Sequence, residues 1–152
     1  MKVEDSFHVA APPDRVWSFI TDPGQMMKCV PGCESIETID PTHYRASIRV
    51  ALGPIKTRFN VEIEIVEQAP PHRIVSKTRG EEGSKASLIA ADNVLHLTPR
   101  DGGTELFYSS DAALTGRLGK FGFGMLKKQA EKLGREFAVR VCAALESVPA
   151  EG

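Results

Sequence analysis

Cys29 and Cys33 stand four positions apart around a Pro31-Gly32 turn. Thiolates at such a knuckle hold zinc with a two-residue gap and need two further ligands. The gap here is wider, His43 falls in a turn, and Cys142 sits among Val139, Val141 and Ala143, where burial explains it. The sequence therefore predicts no metal or redox site, and reads Cys29 and Cys33 as small apolar residues near the entrance of the fold. Four other groups sit at strand positions: His8, Asp92, His96 and Tyr108. Hydrolase or cyclase chemistry would need an acid and a base from this set within reach of one substrate atom, and no pair of them forms a recognised motif. Asp92 is in phase with Leu88 and Ala90, which points it inward unless twist or a bulge turns it out. Tyr108 shares a face with Leu106, so its ring is expected inside, with its hydroxyl free for a ligand carbonyl. Gly116, Gly119, Gly122 and Gly124 lack the spacing of a phosphate-binding loop.

These residues are positioned by a simple order of elements. Met1 to Ala10 alternates and reads as a strand. Pro12-Pro13 opens a short helix with Val16, Trp17, Phe19 and Ile20 on its apolar face, and Asp22-Pro23-Gly24 ends it. Gln25 to Val30 forms a second short helix. Period-two strands follow over Glu34–Ile39, Tyr44–Val50, Phe59–Ile65, Arg73–Arg79, Ser84–Pro99 and Thr104–Leu114, separated by turns at Asp40–His43, Gly53-Pro54, Ala69–Pro71, Gly80–Gly83 and Asp101–Gly103. From Gly116 to Val148 the period changes to that of a helix. Phe121, Met125, Leu133, Phe137, Val141 and Leu145 lie on one side, and Pro149 ends it. Such a helix would run roughly 45 Å. Strands followed by one long helix give the α+β class, with the helix covering one face of an antiparallel sheet. A single helix over a strongly twisted sheet leaves a cleft as well as a core.

The 152 residues make one domain, 1–152, able to bury roughly 70% of the surface its unfolded chain exposes. A net charge of −1 argues against nucleic-acid binding. There is no basic-then-apolar leader and no apolar run approaching ~18 residues, so a cytoplasmic protein is expected, with its three cysteines reduced.

The opening Val9-Ala10-Ala11-Pro12-Pro13-Asp14-Arg15-Val16-Trp17-Ser18-Phe19 resembles that of the START-like (SRPBCC) polyketide-cyclase and lipid-transport superfamily. Further along come Asp22-Pro23, Cys29-Val30-Pro31-Gly32-Cys33-Glu34, Leu52-Gly53-Pro54-Ile55 with Phe59, and Gly102-Gly103-Thr104-Glu105-Leu106 before Gly116-Arg117-Leu118. In this order they resemble the carbon monoxide dehydrogenase G-subunit (CoxG) family. The resemblance implies a helix-grip fold, seven antiparallel strands wrapped on the long helix. It also implies a non-enzymatic protein without cofactor that binds an apolar molecule, a quinone or lipid. The associated partner would be a molybdenum hydroxylase of the carbon monoxide dehydrogenase type, coupled to the inner face of the membrane. Two departures stand out. Some members continue into a membrane-attachment segment, whereas this sequence ends at Gly152, so direct anchoring is not expected. Position 60 is Asn where the family has a small residue, a change expected to reshape the cavity.

On this reading Phe59, Val61, Ile63, Leu88, Tyr108, Phe121, Met125 and Leu133 line the ligand site. Arg117, Lys120, Lys127 and Lys128, a run without an acid near the mouth, form a membrane or partner face. The glycines at the helix start either pack closely on the sheet or loosen the mouth. Two alternatives stay open: an enzyme using Asp92, His96 or Tyr108, and a recruitment factor whose helix binds the dehydrogenase around a filled core.

Overall fold

The period-two stretches form seven strands, and each pairs antiparallel with its neighbours in the computed structural model, which describes residues 1–83 and 86–146. The strands are β1 (Lys2–Val9), β2 (Cys33–Asp40), β3 (His43–Leu52), β4 (Ile55–Ala69), β5 (Arg73–Glu82), β6 (Ser87–Arg100) and β7 (Gly103–Gly116). Their order across the sheet is β1-β7-β6-β5-β4-β3-β2. Hairpins connect β2 through β7 in sequence, so the first strand closes onto the last. Between β1 and β2 lie α1 (Pro13–Ile20) and α2 (Pro23–Cys29). Proline occupies the first turn of both, where no amide hydrogen is needed. Asp22 caps α2, its carboxylate accepting from the amides of Gly24 at 2.9 Å and Gln25 at 3.3 Å.

The sheet and helix arrangement is the expected α+β helix-grip fold with shifted boundaries: α2 starts at Pro23 where Gln25 was expected, and β4 runs over Ile55–Ala69 where Phe59–Ile65 was expected. β5 runs on to Glu82, through the segment read as a glycine-rich loop, and β6 is described from Ser87; position 84, the expected start, lies outside the described residues. The long helix, α3 (Phe123–Glu146), begins seven residues later than the periodicity proposes. Positions 147–149, its expected end, lie outside the described residues. Its 24 residues span about 36 Å. Gly116 adopts φ +86° with its α-carbon against the Ala86 carbonyl, and a β-carbon on Gly119 would come 2.5 Å from the Leu114 oxygen. Close packing thus breaks the helix before a 3₁₀ turn at Leu118–Lys120, while Gly122 and Gly124 face open space. The close-packing account therefore describes Gly116 and Gly119, and no neighbour constrains Gly122 or Gly124.

Alternation sends one set of side chains to the concave face beneath α3 and the other to the convex face. Two apolar clusters fill the concave side. The first joins Val9, Val16, Ile20, Cys29, Leu97, Leu106, Val141 and Leu145, with Phe7 packed edge-on to Phe137 at 6.3 Å between ring centres. The second joins Ala46, Leu52, Phe59, Val61 and Leu118, with Phe121 and Leu126 partly buried against it. Each fully buried Leu or Val contributes roughly 1.5–3 kcal/mol. The C-terminal half of α3 places Val141 and Leu145 in the first cluster, so it is the more firmly held half.

Midway along α3, Gly134 sits against the Tyr108 side chain. A β-carbon there would lie 2.2 Å from the hydroxyl and 3.1 Å from the carbon bearing it. Tyr108 is packed on the first cluster, so its ring has little room to retreat. Gly134→Ala is expected to destabilise the protein by about 1–2 kcal/mol, overpacking outweighing the helix propensity of alanine. Tyr108→Phe in the same chain should recover most of that loss, a coupling readable from urea-unfolding midpoints of the two single variants and the double.

Candidate functional site

Between the two clusters the concave face is left partly uncovered, and a cavity of about 250 Å³ opens there. Ile20, Thr21, Pro23, Met26 and Val30 from the α1–α2 region form one wall. Ile36, Tyr44, Ile63, Ile65, Gln68 and Ile74 supply the strand wall, with Ser76, Asn93, Val94 and Leu95 completing it. Period-two geometry explains the strand contribution. Tyr44 pairs with Ile63, Ile65 with Ser76, Ser76 with Asn93, and Ile74 with Leu95, so these residues share one face of four adjacent strands.

The wall is mostly apolar, and its strand side carries a hydrogen-bonded cluster. Asn93 Nδ2 donates to Thr78 Oγ1 at 3.0 Å and to Ser76 Oγ at 3.4 Å, and Ser110 Oγ donates to Asn93 Oδ1 at 2.8 Å. Asn93, Ser76 and Ser110 stand directly opposite one another on β6, β5 and β7, all half-buried. Near the mouth, the Tyr44 hydroxyl and Gln68 amide make no side-chain hydrogen bond to any described residue.

A second constellation lies at the other end of the concave face. Glu82 is 1% exposed, and its carboxylate accepts from Thr57 Oγ1 at 2.6 Å, from the Ser87 hydroxyl and from the Arg117 guanidinium. Arg117 first, then Thr57, hold the Glu82 carboxyl down at about 2 against the desolvation that opposes it. Ser87 Oγ also accepts the Leu118 amide at 2.9 Å, and the Ala86 carbonyl accepts the Arg117 amide at 2.7 Å. This pairing fastens the corner where β7 turns toward α3.

Of the eight residues expected to line the site, only Ile63 is on the cavity wall. Phe59 and Val61 are buried in the second cluster, with Phe121 packed against it. Tyr108 belongs to the first cluster and abuts Gly134; burial, reinforced by Asp5, pushes its hydroxyl pKa up. Met125 is 42% exposed near Gly53, and Leu133 is half-buried on α3. Leu88 is a correction: it lies on the convex face, 53% exposed, because the inward phase of β6 is Ile89, Ala91, Asn93 and Leu95. Asp92 and His96 follow Leu88 outward. They are on the opposite face of the sheet from Tyr108, so the acid–base set offered by the sequence does not converge. Asn60 also points outward and leaves the cavity unchanged.

The basic run is split too. Arg117 is engaged by Glu82, Lys127 is half-buried, and Lys120 and Lys128 remain exposed. They lie at the α3 start, whereas the cavity is lined from α1–α2 at the other end, so the expected mouth is displaced. Cys29 is buried in the first cluster. Cys33 Sγ donates weakly to the Ser35 carbonyl, and Cys142 Sγ to the His8 carbonyl at 3.4 Å, while Val139 beside it is 68% exposed. Among the described residues no group of three or more His, Cys, Asp or Glu side chains could hold a metal ion. No described helix is long and apolar enough to cross a membrane.

The wall residues missed by sequence reasoning come from the α1–α2 region and from every strand between β2 and β6. Met26 and Val30 carry no strand phase, and Ser76 and Asn93 look like surface residues until register places them inside.

The model of the family described as the G-subunit of carbon monoxide dehydrogenase (CoxG) matches residues 6–145. No curated protein matches the chain. Among solved structures, a conserved protein from Geobacillus kaustophilus is similar at 27% identity and TM-score 0.89, over 97% of this chain and 96% of that one. A START superfamily protein from Mycobacterium smegmatis shares the fold at 14% identity and TM-score 0.78, over 97% and 99% of the two chains. A protein from Chromobacterium violaceum does so at 16% identity and TM-score 0.73, over 95% and 97%.

The buried corner makes a prediction of its own. Because the carboxyl of Glu82 falls from 4.5 to about 2 on folding, its contribution is whole above pH 4.5 and fades as the pH drops toward 2. Glu82→Gln lacks this contribution, so the stability difference between wild type and variant is expected to shrink steadily across that interval. Urea unfolding of both proteins at several acidic pH values measures it. A difference independent of pH would remove the carboxylate from the account.

Proposed function

Since the chain belongs to the CoxG family of carbon monoxide dehydrogenase, we propose that it is a non-enzymatic carrier for an apolar ring compound, held in the cavity between α1–α2 and the sheet. The observation that carries this reading is the cavity itself, about 250 Å³ with mostly aliphatic walls. A dry cavity of about 150 Å³ takes up benzene. The space here suits a substituted ring and is too small for a lipid with two acyl chains, which favours a quinone head group over a phospholipid. Apolar burial at about 25 cal/mol per Å², less the cost of association, supplies the affinity. In this reading the ligand passes between the membrane and a molybdenum hydroxylase of the carbon monoxide dehydrogenase type. Exposed Lys120 and Lys128 on the far end of the helix are the face offered to the partner or to anionic lipid. The dispersal of Asp92, His96 and Tyr108 over two faces weighs against the enzyme alternative.

Native mass spectrometry of freshly purified protein, followed by organic extraction, is expected to reveal a bound quinone. Titration with a short-tailed ubiquinone should quench Trp17, the single tryptophan, which packs on the first cluster one helical turn before the wall residue Ile20. Ile65→Phe fills the cavity and should weaken that binding by at least about tenfold, roughly 1.4 kcal/mol, with the fold retained. An empty protein that also ignores the added quinone would favour the recruitment factor.

A further inference from the structure

The polar cluster on the cavity floor is unbalanced in hydrogen-bond terms. Ser76, Thr78 and Ser110 each bring one hydroxyl hydrogen, and the Asn93 amide brings two, so the cluster holds five donor hydrogens. Three bonds join its members. Two hydrogens therefore remain unspent, and the described residues offer them no further side-chain acceptor. The result does not depend on which way the amide is turned. With Nδ2 toward Ser76 and Thr78, the spare hydrogens are those of these two hydroxyls. With the amide reversed, they are one on Asn93 nitrogen and one on Ser110. In both cases at least one belongs to a residue of the cavity wall, Ser76 or Asn93.

A half-buried donor without a partner is costly, and inside an aliphatic pocket its complement is an acceptor that brings no proton of its own. We infer that Ser76 and Asn93 are the specificity-determining residues of the cavity, selecting ligands that present a carbonyl oxygen to the floor. This rests on the carrier reading above and deepens it. The aliphatic walls set ligand size and the floor sets ligand chemistry. A carbonyl oxygen brings lone pairs and no proton, so it accepts the spare hydrogen that Ser76 or Asn93 presents to the cavity. A hydrocarbon of the same shape leaves them unpaired and also displaces the water that would serve them.

The test uses the full chain and two probes with one skeleton: 1-tetralone, a bicyclic ketone, and tetralin, its hydrocarbon counterpart. Each is titrated calorimetrically into wild type and into the double variant Ser76→Ala with Asn93→Leu, which removes both cavity-wall donors, leucine matching asparagine in heavy-atom count. The ketone is expected to bind the variant at least about tenfold more weakly. Tetralin should change less than about twofold, or bind better. Infrared spectroscopy of the wild-type complex supplies a readout independent of the variant's folding: the carbonyl stretch of bound 1-tetralone should lie below its position in cyclohexane. Parallel losses for both probes, no loss for either, or a carbonyl band at the cyclohexane position would overturn the assignment while leaving the carrier reading intact. If neither probe binds wild type, the carrier reading fails and the assignment with it.

Discussion

One helix has to cover the concave face of a seven-stranded sheet, and it leaves part of that face, beside α1 and α2, uncovered. That constraint organises the molecule. Val141 and Leu145 close one cluster with α1, α2 and β1, while Leu126, with Phe121 and Leu118 just ahead of it, closes the other against β3 and β4. The face between them is neither covered nor solvated like the convex side. Ile63, Ile65, Ile74 and Leu95 are left as a half-buried floor under an aliphatic roof from α1–α2. The cavity follows from how few elements there are to cover a wide sheet, and requires no special cavity-forming segment.

Leaving the middle open puts a demand on the ends, which must hold the helix without help from a continuous core. At the start of α3 this is done with polar groups. The Glu82 carboxylate is withdrawn from water and compensated by Arg117, Thr57 and Ser87, and the same serine receives the Leu118 amide. A buried carboxylate is tolerable only when its lone pairs are filled in this way, and removing one partner leaves a charge with no solvent to take it up. Further along, Gly134 lets the helix backbone approach Tyr108 closely. A polar clasp at one end and close contact beyond mid-helix fix the height of α3 above the sheet, and with it the space beneath.

The cavity and the cluster on its floor draw on opposite preferences. Aliphatic walls reward any apolar shape of the right size and discriminate weakly among such shapes. Hydrogen-bonding groups with unspent donors discriminate more strongly, because a mismatched ligand buries them unpaired. Asn93 and its neighbours lie on adjacent strands of a rigid sheet, so their geometry is set before any ligand arrives. For a carrier this division is useful: affinity comes from walls that release ligand without bond breaking, and selectivity from a small fixed set of dipoles.

Much of the fold could be read from the chain alone, because local physics decides it. Alternation in β4 assigned Ile63 and Ile65 to one face and Glu62 and Glu64 to the other, and Pro12-Pro13 marked the start of α1, whereas Asp22-Pro23, read as a break, caps and opens α2. The ordered turn motifs carried the family resemblance. The site was much less legible. In β6 both phases are partly apolar, with Leu88 and Val94 on one and Ile89 and Leu95 on the other, so only pairing with β5 and β7 decides that Asn93 points inward and Leu88 outward. Arg117 looked like one more member of a basic run until the fold set Glu82, 35 residues earlier, against its guanidinium. Periodicity is a property of neighbours along the chain, and it determined which elements form. Cavity position, amide orientation and charge pairing are properties of neighbours across space, and those were decided by the height and register at which the sheet and its single long helix meet.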